Sequence, residues 1–275
     1  FHGNSRRGSR FGLCVEGRDA SATDHSLHQQ VAEAKNGSTR CVGAYRRLSA
    51  FIRGSLLCSQ SGLVMCGRFT LRTPASEIAG HFALFEMPPF TARFNIAPTQ
   101  PVAAIRLVGT GGEAREPAAE APRELVLLRW GLVPGWAEGP AVGGRWINAR
   151  AETAATKPAF RAAMRGRRCL IAADGFYEWR RDGRRRTPHF FRLGGDRLFA
   201  FAGLWEHWEG ANHSALETCA ILTTDANDVV RPVHDRMPVI LAPDDYAAWL
   251  DPAADPKRLT SLCTSSVMWG RSSLT

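Results

Sequence analysis

The chain has 275 residues, of which 44% are hydrophobic and 22% charged, a composition and length typical of one large or two small globular domains. No run of about 18 apolar residues occurs, which excludes a predicted membrane-spanning helix, and we expect no membrane partner. The net charge is +9, but residues 1–64 hold 9 basic and 4 acidic side chains and the remainder 26 and 22, so the main body is only mildly basic.

The seven cysteines form neither a CxxC pair nor a metal-ligand spacing, and their number is odd. They lie at positions 14, 41, 58, 66, 169, 219 and 263. A disulfide framework is therefore not predicted, and a reduced, cytoplasmic setting is expected. The sequence gives no sign of a metal or an organic cofactor.

Residues 1–64 lack sustained apolar periodicity and are rich in Gly, Ser and Arg. Their apolar runs are too short and too far from the start for a secretory signal. We interpret the segment as disordered, or as an upstream extension translated from a misassigned start. The pattern changes at Met65, where an alternating stretch begins.

From Met65 onward the pattern predicts many short strands and few helices. Strands are predicted over 66–72, 102–108, 125–134, 169–179 (as two pieces around Asp174-Gly175), 188–193, 198–205, 217–224 and 237–241. Helices are predicted over 75–82, 157–164 and 242–250, a helical turn over 225–233, a loop over 93–100, a long polar loop over 109–124 and a turn over 180–186.

This order of elements predicts an α+β fold, a single domain built on a curved, barrel-like, mainly antiparallel sheet with a few short helices. Strands 102–108 and 125–134 are expected to form a hairpin. Cys169 and Cys219 lie in apolar strands and are expected in the core. The domain is expected to span 65–256.

Several polar clusters lie at strand edges and in loops, and none is diagnostic alone. A lone Cys with a lone His is weak evidence for a thiol peptidase. Taken singly, Glu178 is typical of a solvent-facing strand carboxylate, His234 of a structural histidine, and Asn148 of a turn cap. Arginines are dense between 161 and 186, which fits either phosphate contacts or a solvated face.

Together these stretches resemble one family. The ordered motifs are MCGRF (65–69), RFNIAPTQ (93–100), RWGLVPGWA (129–137), INARAETAATKPAFR (147–161), RRCLIAADGFYEWRR (167–181) and HDRMPVIL (234–241). They resemble the SOS-response-associated peptidase (SRAP) family, whose members are abasic-site processing proteins. The resemblance covers about Met65 to Leu250 and implies the fold described above. The tail 257–275 does not match the family's strand-forming tail, so we expect an atypical C-terminus with an exposed sheet edge.

The resemblance implies that Cys66 becomes the first residue after removal of everything before it. A free α-amine and a thiol on one residue can condense with the aldehyde of an abasic deoxyribose, through a Schiff base, to a thiazolidine. An amine with a pKa near 7.7–8.0 and a thiol near 8.5 are each partly nucleophilic at neutral pH. An intact upstream peptide bond would block this chemistry, because the nitrogen would be an amide.

Three further catalytic residues are implied by the resemblance. Glu178 is the acid/base group at the Schiff base, His234 assists proton transfer at the sugar hydroxyl and reversal of the crosslink, and Asn148 positions the Cys66 terminus. The same residues are implied to act as an autopeptidase that removes a preceding segment. The expected activities are therefore crosslinking, autopeptidase and lyase-like reversal within the DNA damage (SOS) response.

The resemblance also implies contacts to single-stranded DNA. The residues concerned are Arg68, Asn95, Pro98, Arg150, Trp179, Thr223 and Arg236. The three arginines would hold phosphates, because a guanidinium is planar, bidentate and always charged. Trp130, Trp136 and Trp179 could stack on bases, with core packing as the alternative for at least one of them.

Two other functions stay open at this point. One is a non-covalent single-stranded DNA binding module in which Cys66 is blocked, and the other is a cysteine peptidase acting on other proteins. We expect a monomer that is associated with the nucleoid when bound to DNA.

Overall fold

The computed structural model describes residues 13–16, 67–109, 121–211 and 213–265. Within these residues, five strands close into a barrel. They are β4 (Pro101–Leu107), β5 (Arg123–Trp130), β7 (Arg168–Ala173), β10 (Phe199–Glu209) and β11 (Ala215–Asp225). The sheet order is β11-β5-β4-β7-β10, and β10 pairs again with β11, which closes the ring. All pairs in the ring are antiparallel except β5 with β11.

A second, antiparallel sheet lies beside the barrel. Its order is β1 (Leu13–Glu16), β9 (Arg185–Leu193), β8 (Gly175–Asp182), β2 (Arg68–Leu71) and β3 (Arg93–Ile96). Three short strands extend the barrel: β6 (Asn148–Arg150) and β12 (Arg236–Pro238) pair with β11, and β13 (Ile240–Leu241) pairs with β10. The predicted α+β fold with a barrel-like, mainly antiparallel sheet is confirmed.

The helices are few and short, as the sequence predicts. They are α1 (Ala75–Phe82), α2 (Ala151–Ala154), α3 (Arg161–Gly166), α4 (Tyr246–Leu250) and α5 (Pro256–Ser265), with 3₁₀ turns at Pro140–Arg145 and Pro243–Asp245. No helix among the described residues is long and apolar enough to cross a membrane. The tail that was expected to diverge after residue 256 begins with α5, which buries Leu259, Leu262 and Cys263.

An aromatic layer joins the second sheet to the barrel. The ring of Phe69 on β2 packs edge-on against Trp130 of β5 and Phe201 of β10, at centroid distances of 5.2 and 5.6 Å. Phe176 on β8 stacks on Phe191 of β9 at 5.1 Å and also contacts Phe201. Because these rings are fully buried, their apolar area stabilises one fixed arrangement of the two sheets.

The barrel interior holds two of the cysteines, as predicted. Cys169 and Cys219 are fully buried, and burial raises the pKa of each thiol far above its usual value. Gly203 of β10 lies opposite Cys169, and a Cβ there would come within 2.7 Å of the Cys169 sulfur. A side chain at position 203 would therefore force the strands apart.

The Asp174 carboxylate, between β7 and β8, fixes the position of β2. It accepts hydrogen bonds from the Thr70 hydroxyl, the Arg72 backbone N–H and side chain, and the Thr73 backbone N–H and hydroxyl. In return the Asp174 N–H donates to the Thr70 carbonyl at 3.0 Å. A buried carboxylate is stable only when its oxygens accept hydrogen bonds in this way. A shift of β2 would leave the Asp174 carboxylate buried without its donors, so β2 is held in place.

The structure departs from the predicted elements where polar residues form strands. Residues 93–100 were expected as a loop, but 93–96 form β3 because they pair with β2. The turn expected over 180–186 is confined to the Gly183-Arg184 tip, because β8 and β9 continue through the arginines on either side. Backbone pairing in an antiparallel hairpin does not need apolar side chains, so charge alone is a poor sign of a turn.

We expect Asp174→Asn to lower the free energy of unfolding by about 2–4 kcal/mol, because the new amide N–H₂ would face donors in place of an acceptor. Urea denaturation measures this difference. The control is Asp196→Asn, since Asp196 also pairs with Arg72 but its side chain is 54% exposed against 2% for Asp174. The control should change stability by less than about 1 kcal/mol. Equal losses in both variants would contradict the role assigned to Asp174.

Candidate active site

Glu178 lies on β8 with its side chain turned toward the barrel. Side chains alternate along a strand, and Phe176, two residues earlier, contacts Phe201 of the barrel, so Glu178 points to the same side. Only 1% of Glu178 is exposed. The interpretation of Glu178 as a solvent-facing strand carboxylate is therefore wrong, because its side chain is buried on the barrel-facing side of β8.

The register between β2 and β8 brings the start of β2 to Glu178. Arg68 pairs with Tyr177, Phe69 with Phe176 and Thr70 with Gly175. One further step of this antiparallel register sets Gly67 opposite Glu178. Cys66, the predicted nucleophile, lies outside the described residues. It directly precedes Gly67, so its backbone joins the chain at this point.

A second group of predicted residues surrounds the C-terminal end of β11. On one side Asn148 pairs with Ile221, and Arg150 pairs with Thr223. On the other side β12 pairs with β11, and His234 lies two residues before that strand begins. The end of β11 thus brings together two segments that are distant in sequence. One carries Asn148 and Arg150, and the other carries His234 and Arg236.

The pKa of His234 is lowered from its ordinary value. The Arg181 guanidinium, three residues beyond Glu178, lies close enough to affect the ionisation of His234. Burial lowers the pKa of His234, the Arg181 charge lowers it further, and the Asp235 carboxylate opposes both effects. At neutral pH the ring is therefore uncharged and able to accept a proton.

The contacts of the His234 ring suit a group that moves protons. Its Nδ1 lies 3.1 Å from the Arg236 backbone N and 2.9 Å from a carboxylate oxygen of Asp235. In the neutral ring Nδ1 accepts from the Arg236 N–H, which leaves the proton on Nε2. In the charged ring the Nδ1–H faces Asp235. Each protonation state thus has a partner within hydrogen-bond distance.

Arg236 and Thr223, both predicted DNA contacts, are directed into the protein. The Arg236 guanidinium is only 10% exposed and forms a bidentate pair with Glu152 at 2.8 Å for each bond. It also bonds Asp225 and the Thr223 carbonyl. Thr223 is fully buried, with its hydroxyl 3.4 Å from the Ala149 carbonyl oxygen. Neither group is presented to DNA in this structure, because each already has protein partners.

Arg68 has the environment expected of an anion-binding group. One guanidinium nitrogen donates to the Asn95 amide oxygen at 2.9 Å, which joins β2 to β3. Burial lowers the pKa of Arg68, and no carboxylate among the described residues lies within ion-pair distance of it. A partly desolvated cation whose partner is a neutral amide favours an incoming anion. Pro98 follows in a turn that the Thr99 N–H ties to the Trp130 carbonyl at 2.7 Å.

Comparison with known proteins identifies the family. The sequence pattern of the SOS response associated peptidase (SRAP) family matches residues 65–269. The chain belongs to the SRAP family. It is 42% identical over 203 residues to the abasic site processing protein YoaM of Bacillus subtilis, covering 72% of this chain and 85% of YoaM. It is 41% identical to the abasic site processing protein YoqW of Bacillus phage SPbeta, covering 72% and 86%.

A solved structure shares the fold. A crystal structure of a protein from Bacteroides thetaiotaomicron superposes with a TM-score of 0.63 at 23% identity, covering 72% of this chain and 86% of that protein. At this identity the likeness establishes a shared fold alone. The family pattern also extends past residue 256 and so includes α5.

The three tryptophans considered for base stacking have different environments in this SRAP chain. Trp130 is fully buried, and its ring N–H donates to the Ile147 carbonyl at 2.8 Å. The hypothesis that Trp130 stacks on DNA bases is therefore wrong. Trp136 is 64% exposed and packs edge-on against Trp146. Trp179 is half-buried on β8, near the Tyr177 ring. The alternative of core packing for at least one tryptophan is confirmed.

Sequence reasoning missed two groups beside the site. His189 of β9 pairs directly with Glu178, is buried, and its Nδ1 lies 3.1 Å from the Thr187 carbonyl oxygen. The alternation in residues 185–193 sets His189 on the face of Phe191, which could have indicated an inward position. The Glu152–Arg236 pair has no comparable sequence signal, because its partners are separated by 84 residues.

We expect the stability of the protein to fall below about pH 6.5, in part through His234. The unfolded chain binds a proton at His234 with the ordinary pKa near 6.5, whereas the folded chain does so only at lower pH. The unfolded state therefore binds more protons in this window, and the free energy of unfolding decreases as the pH falls through it. Urea denaturation at pH 5, 6 and 7 measures this trend.

In the His234→Gln variant, the free energy of unfolding should decrease less steeply as the pH falls. The control is His213→Gln, since the His213 side chain is 92% exposed. Identical pH trends in the wild type and His234→Gln would show that the environment assigned to His234 is wrong.

Proposed function

We propose that this SRAP chain processes abasic sites in single-stranded DNA by covalent capture through Cys66, once the residues before Cys66 are removed. The observation that carries the proposal is the buried Glu178 carboxylate, which follows the Tyr177–Arg68 pair by one residue at the end of β2 that Cys66 and Gly67 precede. The two bacterial and phage relatives named above are described as abasic site processing proteins, which supports the same class of substrate.

The chemistry begins at the Cys66 α-amine, which attacks the aldehyde carbon of the ring-opened abasic sugar. The resulting carbinolamine loses water and becomes an imine. The Cys66 thiolate then adds to the imine carbon, and the nitrogen takes up a proton, which closes a five-membered thiazolidine. The adduct mass is therefore that of protein plus DNA minus one water.

Glu178 is suited to carry protons in these steps. Loss of water from the carbinolamine needs a proton on the departing hydroxyl, and closure of the ring needs a base for the thiol. A carboxyl group positioned beside the reacting atoms can do both, and such help typically contributes about 10²–10⁴-fold. Its burial excludes bulk water from the imine, which would otherwise hydrolyse it.

The residues around the end of β11 act on the sugar and its phosphates in this proposal. Asn148 holds the Cys66 terminus through its side-chain amide. His234, neutral at physiological pH, exchanges a proton with the sugar hydroxyl and promotes reversal. Arg68 and the exposed Arg150 bind phosphates directly, with Asn95, Pro98 and Trp179 along the strand.

For Arg236 and Thr223, a positioning role fits their buried contacts better than a direct phosphate contact. Arg236 fixes Glu152 of α2 against β11 and β12, and its backbone N–H holds the His234 ring. The contacts of the Arg236 guanidinium and the Thr223 hydroxyl with DNA, implied by the family resemblance, stay predictions.

The alternative is a non-covalent single-stranded DNA binding module with Cys66 blocked by the preceding chain. The same arginines would then provide salt-sensitive binding without an adduct. Removal of the preceding chain requires hydrolysis of the peptide bond before Cys66, in which water supplies the hydroxyl and the new amine takes a proton. Autopeptidase activity is thus a condition of the covalent function when translation starts upstream.

Intact-mass spectrometry tests the proposal. A chain that begins at Cys66 is incubated with a single-stranded oligonucleotide carrying one abasic site, and we expect a shift by the DNA mass less one water. Cys66→Ala should abolish the adduct, because it removes the thiol that closes the ring. Glu178→Gln should slow its formation by about 10²-fold or more, because the amide cannot exchange protons.

The 275-residue chain provides the second arm. An adduct on a product that has lost residues 1–65 would support autopeptidase activity, and an unprocessed chain without adduct would show that the upstream segment blocks capture. A matched control is Glu206→Gln, a buried carboxylate held by Arg167 on the barrel. Absence of adduct from folded protein that begins at Cys66 would reject covalent capture.

A further inference from the structure

The β8–β9 hairpin carries an arginine cluster that the candidate site does not use. We call residues 180–186 the arginine hairpin. Its arginines, all exposed, are Arg180, Arg181, Arg184, Arg185 and Arg186. The segment contains a single acidic residue, Asp182. Such a local excess of positive charge creates a strong field at one exposed tip.

The register of the hairpin increases the repulsion within it. Arg181 lies directly opposite Arg186, while Asp182 lies opposite Arg185. Like charges directly opposite each other destabilise a strand pair. Within the described residues, no ion pair to a carboxylate is formed by these five arginines, whereas Arg72 and Arg106 each form two and Arg192 forms one. The arrangement therefore costs stability unless an anion binds.

The arginine hairpin extends directly from the candidate site. Its first arginines follow Glu178 by two and three residues, and the Arg181 charge acts on His234. Beyond Glu178, β8 continues for four residues to Asp182, which is roughly 13 Å at a rise of about 3.3 Å per residue, and the Gly183-Arg184 tip follows. Phosphates in a stacked strand repeat about every 3.4 Å, so this length matches several nucleotides.

We propose that the arginine hairpin is a second nucleic-acid surface, which binds the phosphates of the DNA that flanks the reactive nucleotide. The inference rests on the proposed function for its choice of partner. Phosphate suits it better than an acidic protein, because the guanidinium fork binds phosphate oxygens in pairs and the hairpin continues the strand that carries Glu178. Its role is to hold the strand in place while the slower covalent step proceeds at Cys66.

The test measures non-covalent binding of the full 275-residue chain to an undamaged single-stranded oligonucleotide by fluorescence anisotropy at several salt concentrations. Undamaged DNA has no aldehyde, so a failure of covalent capture does not affect the result. The variant is Arg184→Ala, Arg185→Ala and Arg186→Ala combined. Each lost phosphate contact should reduce the slope of log affinity against log salt by about 0.7, hence by about 2 for three contacts. At low salt we expect an affinity loss of about tenfold or more.

Two matched variants distinguish DNA binding by the arginine hairpin from a general effect of net charge on DNA affinity. Arg161→Ala, Arg165→Ala and Arg258→Ala combined remove the same charge from exposed positions on α3 and α5, and should leave the slope nearly unchanged. Arg184→Lys, Arg185→Lys and Arg186→Lys combined should retain most of the slope, because the charge remains. Circular dichroism establishes that each variant is folded, as expected for substitutions at exposed positions.

Three outcomes would overturn the proposal. The first is an unchanged salt slope in the hairpin variant, and the second is an equal reduction in the variant of α3 and α5. The third is a hairpin variant that binds DNA normally but loses binding to polyglutamate, which would assign the surface to an acidic protein partner. A reduced slope confined to the hairpin variant supports the proposal, whether or not an adduct forms with abasic DNA.

Discussion

The Asp174 carboxylate is the constraint on which the rest of the candidate site depends. It lies at the turn between β7 and β8, and its hydrogen bonds to Thr70, Arg72 and Thr73 hold the end of β2. A one-residue slip of a strand moves every side chain to the opposite face. With β2 fixed, Gly67 stays opposite Glu178 and Phe69 stays in the aromatic layer. A charge at one end of the strand thus sets the geometry at the other.

The end of β11 provides the second fixed point. β11 belongs to the closed barrel and cannot shift without breaking pairs on both sides. Its last residues hold β6 on one side and β12 on the other, and the Glu152–Arg236 pair ties α2 across them. The catalytic candidates therefore extend from short segments that are attached to a rigid strand, an arrangement that limits their movement.

Sequence patterns predicted the elements whose residues alternate or repeat by local rules. The helix 75–82 followed from Thr73-Pro74 and its apolar spacing, and the two strands around Asp174-Gly175 followed from their apolar runs. Strand 180–182 was missed, because its arginines lack apolar alternation and its pairing with β9 is a tertiary fact. The exposure of these side chains is compatible with a strand, because strand pairing needs partners only for the backbone N–H and C=O groups.

The candidate site was predictable as a set of residues but not as a geometry. Motif order indicated Asn148, Glu178 and His234, yet no local pattern showed that Glu178 is buried or that Arg236 is held by Glu152. Both facts depend on contacts between distant segments. Trp130 shows the same limit, since its indole N–H is satisfied by a carbonyl 17 residues away and the ring lies in the core.

The buried cysteines determine where an electrophile can react. Cys169, Cys219 and Cys263 are buried, and burial raises the pKa of Cys263 to about 12. A thiol that stays protonated is a poor nucleophile, so these residues cannot compete for an aldehyde or an alkylating reagent while the protein is folded. The thiols of Cys169 and Cys219 inside the barrel and of Cys263 on α5 are therefore unreactive in the folded protein. Thiol reactivity is confined to the other cysteines of the chain.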